Sequence, residues 1–384
     1  MKPRMVCLWV LPLIVLIVAG RHPRVGSAHD SSIAPVPLPV WASEVAVPGT
    51  VGEPHALALD AADNPYLLYY QPAAEALRWA ARNGDTWTTS LVADDVLPDL
   101  ELALAIGPNG VAQIAYIDDD DDKLIAGSLE AGGWALQTLS IANRNLALAV
   151  GQDNRPHLIT IESEQLIYRT RQGGVWQSEP ASPTGVAVVS ASLALDSQGR
   201  PMVVYSARDI ADLTVAVRQS ADDWTTTSLP DRGMMAMALG PNDAVNSLYI
   251  SQRQEPDKPP WTFISLWLAE QQGSYWQDTM LSEDLFTGEY PQGRLLFDAD
   301  GRRHLIIRQP GGYLFYQRQE TDGQGSDEGI PGSNHGGAFG LAVGSDGQPR
   351  VSQQRDGDLL LYRREILWLD KHMLLPVVPI KSPW

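Results

Sequence analysis

Most of the residues able to do chemistry are acids, and few of them converge. Asp118 to Asp122 form an unbroken run of five aspartates. Calcium takes several oxygen ligands, so a calcium site there is conceivable. Adjacent carboxylates on one turn do not converge on one ion, however, and the run reads as a solvated acidic hairpin. The turns DADG (298–301) and DSQG (196–199) faintly echo calcium loops, but they recur along the chain as ordinary turns. No cofactor is expected. His157 and His304 occupy the same place, in RPH and RRH, which indicates a repeated structural position. No H-E-x-x-H pair or other metal-ligand spacing occurs. His55 and His335 each precede an apolar run that would open on a central pocket, and both are candidate ligand-binding residues. Serine nucleophile elbows and phosphate-cradling glycine loops are absent. One cysteine, Cys7, excludes a disulfide framework and a cysteine zinc site. Lys and Arg total 28 against 46 acids, a net charge of −18, which argues against a nucleic-acid partner.

The elements that would position these residues come from a repeat. A short apolar run, a turn of Asp, Asn, Gly or Pro, and a second apolar run recur seven times. The last apolar residues of the first runs are Leu59, Ile106, Val150, Leu195, Leu239, Phe297 and Val343, spaced 47, 44, 45, 44, 58 and 46 apart. Each unit continues with a third run, a second turn and a fourth run. Five of these fourth runs carry a tryptophan: Trp87, Trp134, Trp176, Trp224 and Trp276. Short apolar runs between closely spaced turns are strands. A four-stranded unit of ~45 residues repeated seven times predicts an all-β, seven-bladed β-propeller of antiparallel blades. The seventh unit runs from LLLYR into REILWLD with no turn for a fourth strand, while Trp41 opens an orphan strand, WASEVAVP. The N-terminal strand is therefore expected to complete the last blade and close the ring. The sixth unit lacks its tryptophan, so a poor fourth strand is expected in GQGSDEG. The repeat tryptophans are read as buried packing residues and not as ligand platforms.

The tryptophan turn resembles the Asp-box (BNR-like) repeat of sialidase-like propellers, S-x-D-x-G-x-T-W. Gly84 and Thr86 precede Trp87, Gly173 precedes Trp176, and Gly273 precedes Trp276. The Ser and Asp of that box are missing, with Ala80 and Arg82 standing in their places before Trp87. The chain also resembles exported bacterial propeller repeat proteins with D-x-x-G-x-P turns. A sialidase would imply an arginine cluster and a Tyr–Glu nucleophile pair from different blades. Here Arg144, Arg208, Arg232 and Arg294 fall on loops facing one end without forming a triad, and Glu289 and Tyr290 are adjacent. No catalytic residue is assigned.

At the ends, residues 1–28 read as a signal peptide: Lys2 and Arg4, an apolar run from Val6 to Ala19, then Gly26-Ser27-Ala28. The alternative is an uncleaved anchor, for which the run is short. Residues 29–40 form a Pro-rich linker, 41–365 the propeller and 366–384 a tail with Pro376, Pro379 and Pro383. A secreted or extracytoplasmic monomer is expected, with no transmembrane span after signal cleavage. The fifth unit is the informative irregularity. Its surplus residues fall in SQRQEPDKPPW, between second and third strands, and in DLFTGEYPQG, before the next first strand. Those two connections emerge at one end of a blade. Asp257, Trp261, Glu289 and Tyr290 are therefore placed on a ligand face, together with Asp99 and Glu101. Tryptophan and tyrosine can stack on sugar rings while carboxylates accept from hydroxyls. The expected function is non-catalytic binding of a carbohydrate or cell-surface polymer. A sialidase-like glycosidase or lyase and a protein-interaction scaffold are the alternatives.

Overall fold

The computed structural model describes residues 36–119, 122–141, 144–208, 210–229, 236–254, 262–273, 275–286, 292–309 and 311–369. Its compact unit spans Pro39–Leu367. Seven four-stranded antiparallel sheets form a ring, which is the expected seven-bladed propeller. Blades 1 to 6 occupy residues 55–93, 98–141, 144–180, 188–229, 236–286 and 292–329. Blade 7 takes 339–369 together with the strand Val36–Val47. The first strand of each blade lies against the first strands of both neighbours, and blade 7 meets blade 1. Among the described residues, two single 3-10 turns, Pro72–Ala74 and Pro241–Asp243, are the only departures from β structure and its connections.

The burial pattern explains the sequence pattern. Second strands such as Pro156–Glu162 are buried at nearly every position, because a blade is covered on both faces by its neighbours. Fourth strands lie at the periphery and alternate: Gly133–Ile141 is largely exposed. In blade 7 the order from the axis is Phe339–Val343, Pro349–Arg355, Asp358–Leu369, Val36–Val47. The N-terminal strand thus supplies the outermost strand of the last blade. Pro37 and Pro39 lie in it, which an edge strand tolerates. The weak sixth fourth strand is Gly325–Gly329, only five residues long.

First-to-second turns line one end of the ring. Asp60 Oδ1 accepts from the N–H groups of Ala62 and Asn64, both at 2.9 Å. Asp196 and Asp298 do the same two and four residues on. The turns that echo calcium loops therefore use their leading carboxylates on their own backbone. His157 and His304 are buried, and each Nδ1 meets the hydroxyl of a third-strand tyrosine, Tyr168 at 2.6 Å and Tyr316 at 2.8 Å. They are equivalent packing positions of the repeat.

The repeat tryptophans seal the joints between blades. Trp224 meets Tyr168 of blade 3 edge-on at 5.5 Å, Trp134 meets Trp79 of blade 1 at 5.4 Å, and Trp41 meets Tyr316 of blade 6 at 5.4 Å. They are half-buried and not buried as expected, because the fourth strand sits at the rim. At three joints the indole N–H also reaches a glutamate on the outer strand of the preceding blade. Trp41 donates to Glu328 at 2.9 Å, Trp87 to Glu44 at 3.3 Å and Trp224 to Glu179 at 2.8 Å. An arginine completes each clip: Arg364–Glu328, Arg82–Glu44 and Arg218–Glu179, at 2.7, 2.9 and 2.7 Å. Trp134 lacks the clip, and its buried Nε1 has no hydrogen-bond partner. The residue three beyond the preceding tryptophan is Ser90 there, whereas Glu44 and Glu179 stand three beyond Trp41 and Trp176.

This difference gives a stability prediction. Trp134→Ala removes apolar contact alone and is expected to cost about 3 kcal/mol. Trp224→Ala also removes a charge-assisted hydrogen bond and is expected to cost roughly 1 kcal/mol more. Urea unfolding of the two variants checks the order; an equal or reversed pair would deny the clip its energetic role.

Candidate functional site

The antiparallel order fixes which connections share an end. Each first strand runs inward from the end that also carries the second-to-third and fourth-to-first connections. That end holds the mouth of a central channel. Residues from all seven first strands line a cavity of about 410 Å³ there, from His55, Glu101, Asn145 and Ser190 round to Ala236, Arg294 and Phe339. A second cavity of about 400 Å³ adjoins it, lined by Glu53, Glu101, Gln292, Arg294 and Arg308.

The inner edge of a first strand presents backbone groups with no strand to pair them. Side chains from neighbouring blades satisfy several. Asn145 has φ of +57° and presents its amide to Ala191: Nδ2 donates to the carbonyl at 2.9 Å and Oδ1 accepts from the N–H at 2.7 Å. This mimics a backbone pair. Glu101 Oε2 accepts from Leu146 N–H at 2.6 Å. That N–H falls in a bulge, since Arg144 pairs with Ile161 and Ala147 with Ile159, which leaves two residues opposite one.

His55 bridges blades 1 and 7. Its Nδ1 lies 3.1 Å from the Glu53 carbonyl, which can only accept, so Nδ1 carries the proton. Nε2, 3.0 Å from Ser352 Oγ, therefore accepts from the hydroxyl. Burial pushes the ring down to about pKa 4, and the positive Arg294 adds to that shift. The ring is neutral at pH 7 with both nitrogens engaged. These stitches join blades 7 and 1, 2 and 3, and 3 and 4. The rest of the mouth carries Ala236, Arg294 and Phe339, with the Arg294 guanidinium 5.4 Å above the Phe339 ring. Leu97, Ile141, Val189 and Tyr313, at strand ends and connections on this same end, are exposed apolar residues that do not line the cavities.

The sequence candidates fall as follows. His55 and Glu101 line the mouth, though both also serve as stitches. Asp99 lies in the first strand of blade 2, Pro98–Ile106, within an irregular stretch between the pairs Pro98–Asp118 and Leu102–Tyr116. His335 is exposed in the 330–338 connection with φ of +60°, and its N–H donates to the Gly311 carbonyl at 2.7 Å. Asp257, Trp261, Glu289 and Tyr290 lie outside the described residues. The flanking strands of both insertions are described: Gln254 pairs with Thr262 and Phe263 with Phe286, so both depart from the mouth end of blade 5. Of the acidic run, Asp118 closes a strand and accepts from Leu97 N–H at 3.2 Å. Arg208 pairs with Glu164 at 2.7 Å. Arg294 lies in a first strand, Gln292–Phe297, and not on a loop as expected.

Sequence reasoning missed Tyr313 and Asn145. Tyr313 follows Gly311 and Gly312, two glycines at positive φ that turn the chain at the mouth. That doublet was the one available signal. Asn145 looks like any polar residue before an apolar run.

No family model matches the chain, and no curated protein matches it. Solved structures do share the fold. Virginiamycin B lyase from Staphylococcus aureus has a TM-score of 0.57 at 11% identity, covering 86% of this chain and 100% of that one. A lectin from Burkholderia pseudomallei has 0.57 at 13%, covering 84% and 96%. A polysaccharide lyase has 0.54 at 11%, covering 82% and 90%. At such identities the likeness is one of architecture.

Proposed function

We propose that the chain is an exported, non-catalytic binding propeller that takes a carbohydrate or cell-surface polymer at the channel mouth. The observation that carries this reading is the mouth itself: a cavity lined by all seven first strands, with His55, Glu101, Asn145 and Arg294 among its residues, at the end that also exposes apolar Leu97, Ile141, Val189 and Tyr313. Sugars present hydroxyl edges and apolar ring faces, and such a site offers partners for both. The fifth unit's insertions depart from this same end, so Trp261 and Tyr290 remain the proposed stacking residues, with Asp257, Asp99 and Glu289 as acceptors. Propellers hold unrelated functions. That a lectin and a polysaccharide lyase share this fold supports the ligand class without assigning it. His55 supports binding over turnover. A general base needs a free nitrogen within reach of substrate, and both of its nitrogens are hydrogen-bonded inside the protein.

A glycan array read for capture and for cleavage tests this. Capture without product is expected, and Trp261→Ala with Tyr290→Ala should weaken it while leaving thermal stability nearly intact. Released product would make the chain an enzyme, and silence across the array would favour a protein scaffold.

A further inference from the structure

Five buried or half-buried arginines in this molecule follow a pattern. Arg82, Arg169, Arg218, Arg303 and Arg364 are each paired with a glutamate: Glu44, Glu162, Glu179, Glu270 and Glu328, at 2.6 to 3.3 Å. Burying a guanidinium is unfavourable without such a partner. Arg294 departs from the pattern. It is exposed to the channel and lines both cavities at the mouth. Among the described residues it forms no ion pair. Its one hydrogen bond goes to the carbonyl of the adjacent Gly293, at 3.2 Å from Nη1. A guanidinium has five N–H donors in a planar fork, so most of its capacity faces the cavity. Desolvation within the channel pulls its pKa below the ordinary arginine value, with the charge of Glu101 opposing, which agrees with a cation short of compensation. Arg78 also lacks a carboxylate partner among the described residues, but it lines neither mouth cavity. Phe339 below the guanidinium holds its plane by cation–π contact.

We infer that Arg294 is a subsite for an anionic group of the ligand, a sugar carboxylate or a sulfate ester, bound by the guanidinium fork at the junction of the two cavities. This rests on the proposed carbohydrate binding at the mouth and narrows it to acidic sugars. The chain's net charge of −18 fits a local device, because an anion would otherwise be repelled. His55 beside it stays neutral and adds no second cation to the site.

The test uses three probes by calorimetry: an oligogalacturonate, its methyl ester and a sulfated galacto-oligosaccharide, against wild type, Arg294→Gln and Arg294→Lys. The acid or the sulfate ester should bind wild type and lose about 10- to 100-fold on Arg294→Gln, as expected for a charge-assisted hydrogen-bonded pair. Whichever binds identifies the anion. Arg294→Lys should recover part of the loss, since it keeps the charge without the fork. Arg294→Gln should melt at or above the wild-type temperature. A variant that melts well below it would make Arg294 a structural residue and overturn the inference. A methyl ester that binds as tightly as the acid would overturn the anion subsite while leaving carbohydrate binding intact. If no oligosaccharide binds, the carbohydrate reading falls. The subsite then stands or falls on sodium sulfate and sodium acetate: stabilisation of wild type but not of Arg294→Gln supports it, and equal behaviour of the two overturns it.

Discussion

A chain lacking residues 29–48 should melt at least ~10 °C below the intact protein and lose its last blade to protease first. The reason is that the strand Val36–Val47 holds two joints as well as one sheet edge. Toward blade 6, Trp41 packs edge-on against Tyr316 and donates to Glu328. Toward blade 1, Glu44 accepts from Trp87 and pairs with Arg82. Ala46 and Val47 are buried in the cluster that also contains Leu67, Tyr69, Leu359 and Leu361. Deletion therefore exposes the Asp358–Leu369 strand as a new edge and leaves Arg82 and Arg364 without part of their surroundings. A ring resists opening because each blade is covered on both faces, and opening one joint uncovers two. Differential scanning calorimetry of the truncated protein decides the matter. An unchanged transition would mean that the strand only decorates blade 7.

How this closure could be read from sequence shows where legibility comes from. The missing turn after Arg363 and the orphan tryptophan at position 41 are both departures from a period, and a period is a long-range constraint written locally. The same holds for the poor strand at Gly325–Gly329 and for the equivalence of His157 and His304. The strand-to-blade assignment rested on turns whose aspartates clamp their own backbone, a chemistry confined to four or five residues.

The mouth was less legible because its residues act across blades. Asn145 and Ala191 are 46 positions apart, and nothing local to NLALAV says that the amide will mimic a strand. Arg294 was visible as an arginine, but that it has no carboxylate partner among the described residues depends on how the fold places the first strands around the channel. Glu101 looked like a ligand acceptor, and one of its oxygens turns out to serve a bulged Leu146 N–H that only the fold creates. The tryptophans were assigned correctly to packing, yet their half-exposed position follows from where a fourth strand lies in a ring and not from their neighbours in sequence.

The second large effect is expected at Glu179, the centre of the most complete clip. Its Oε1 accepts from Arg218 Nε at 2.7 Å and Trp224 Nε1 at 2.8 Å, and its Oε2 from Arg218 Nη2 at 2.9 Å and Asp222 N–H at 3.1 Å. Glu179 is buried, so Glu179→Ala leaves a guanidinium, an indole N–H and a backbone N–H without their acceptor. Breaking one side of such a pair costs about 3–5 kcal/mol, more than the pair itself contributes, because the remaining charge is stranded. The same clip fixes the acid side of the stability curve. Burial pushes the Glu179 carboxyl up, but the Arg218 hydrogen bonds, the Asp222 N–H and the Trp224 N–H together hold it below its ordinary 4.5. A folded-state pKa below the unfolded one contributes stability that is complete above about pH 4.5 and is lost as pH falls through the folded value. Glu179→Gln keeps the shape, loses the charge, and should flatten that acid limb while lowering stability at pH 7. Urea unfolding at pH 7 and across the range below about pH 5 measures both. If Glu179→Gln and wild type lose stability in parallel as the pH falls, the acid limb belongs to other carboxylates. Asp60 and Asp298 are the next to examine, since turn N–H groups hold both below the ordinary aspartate range.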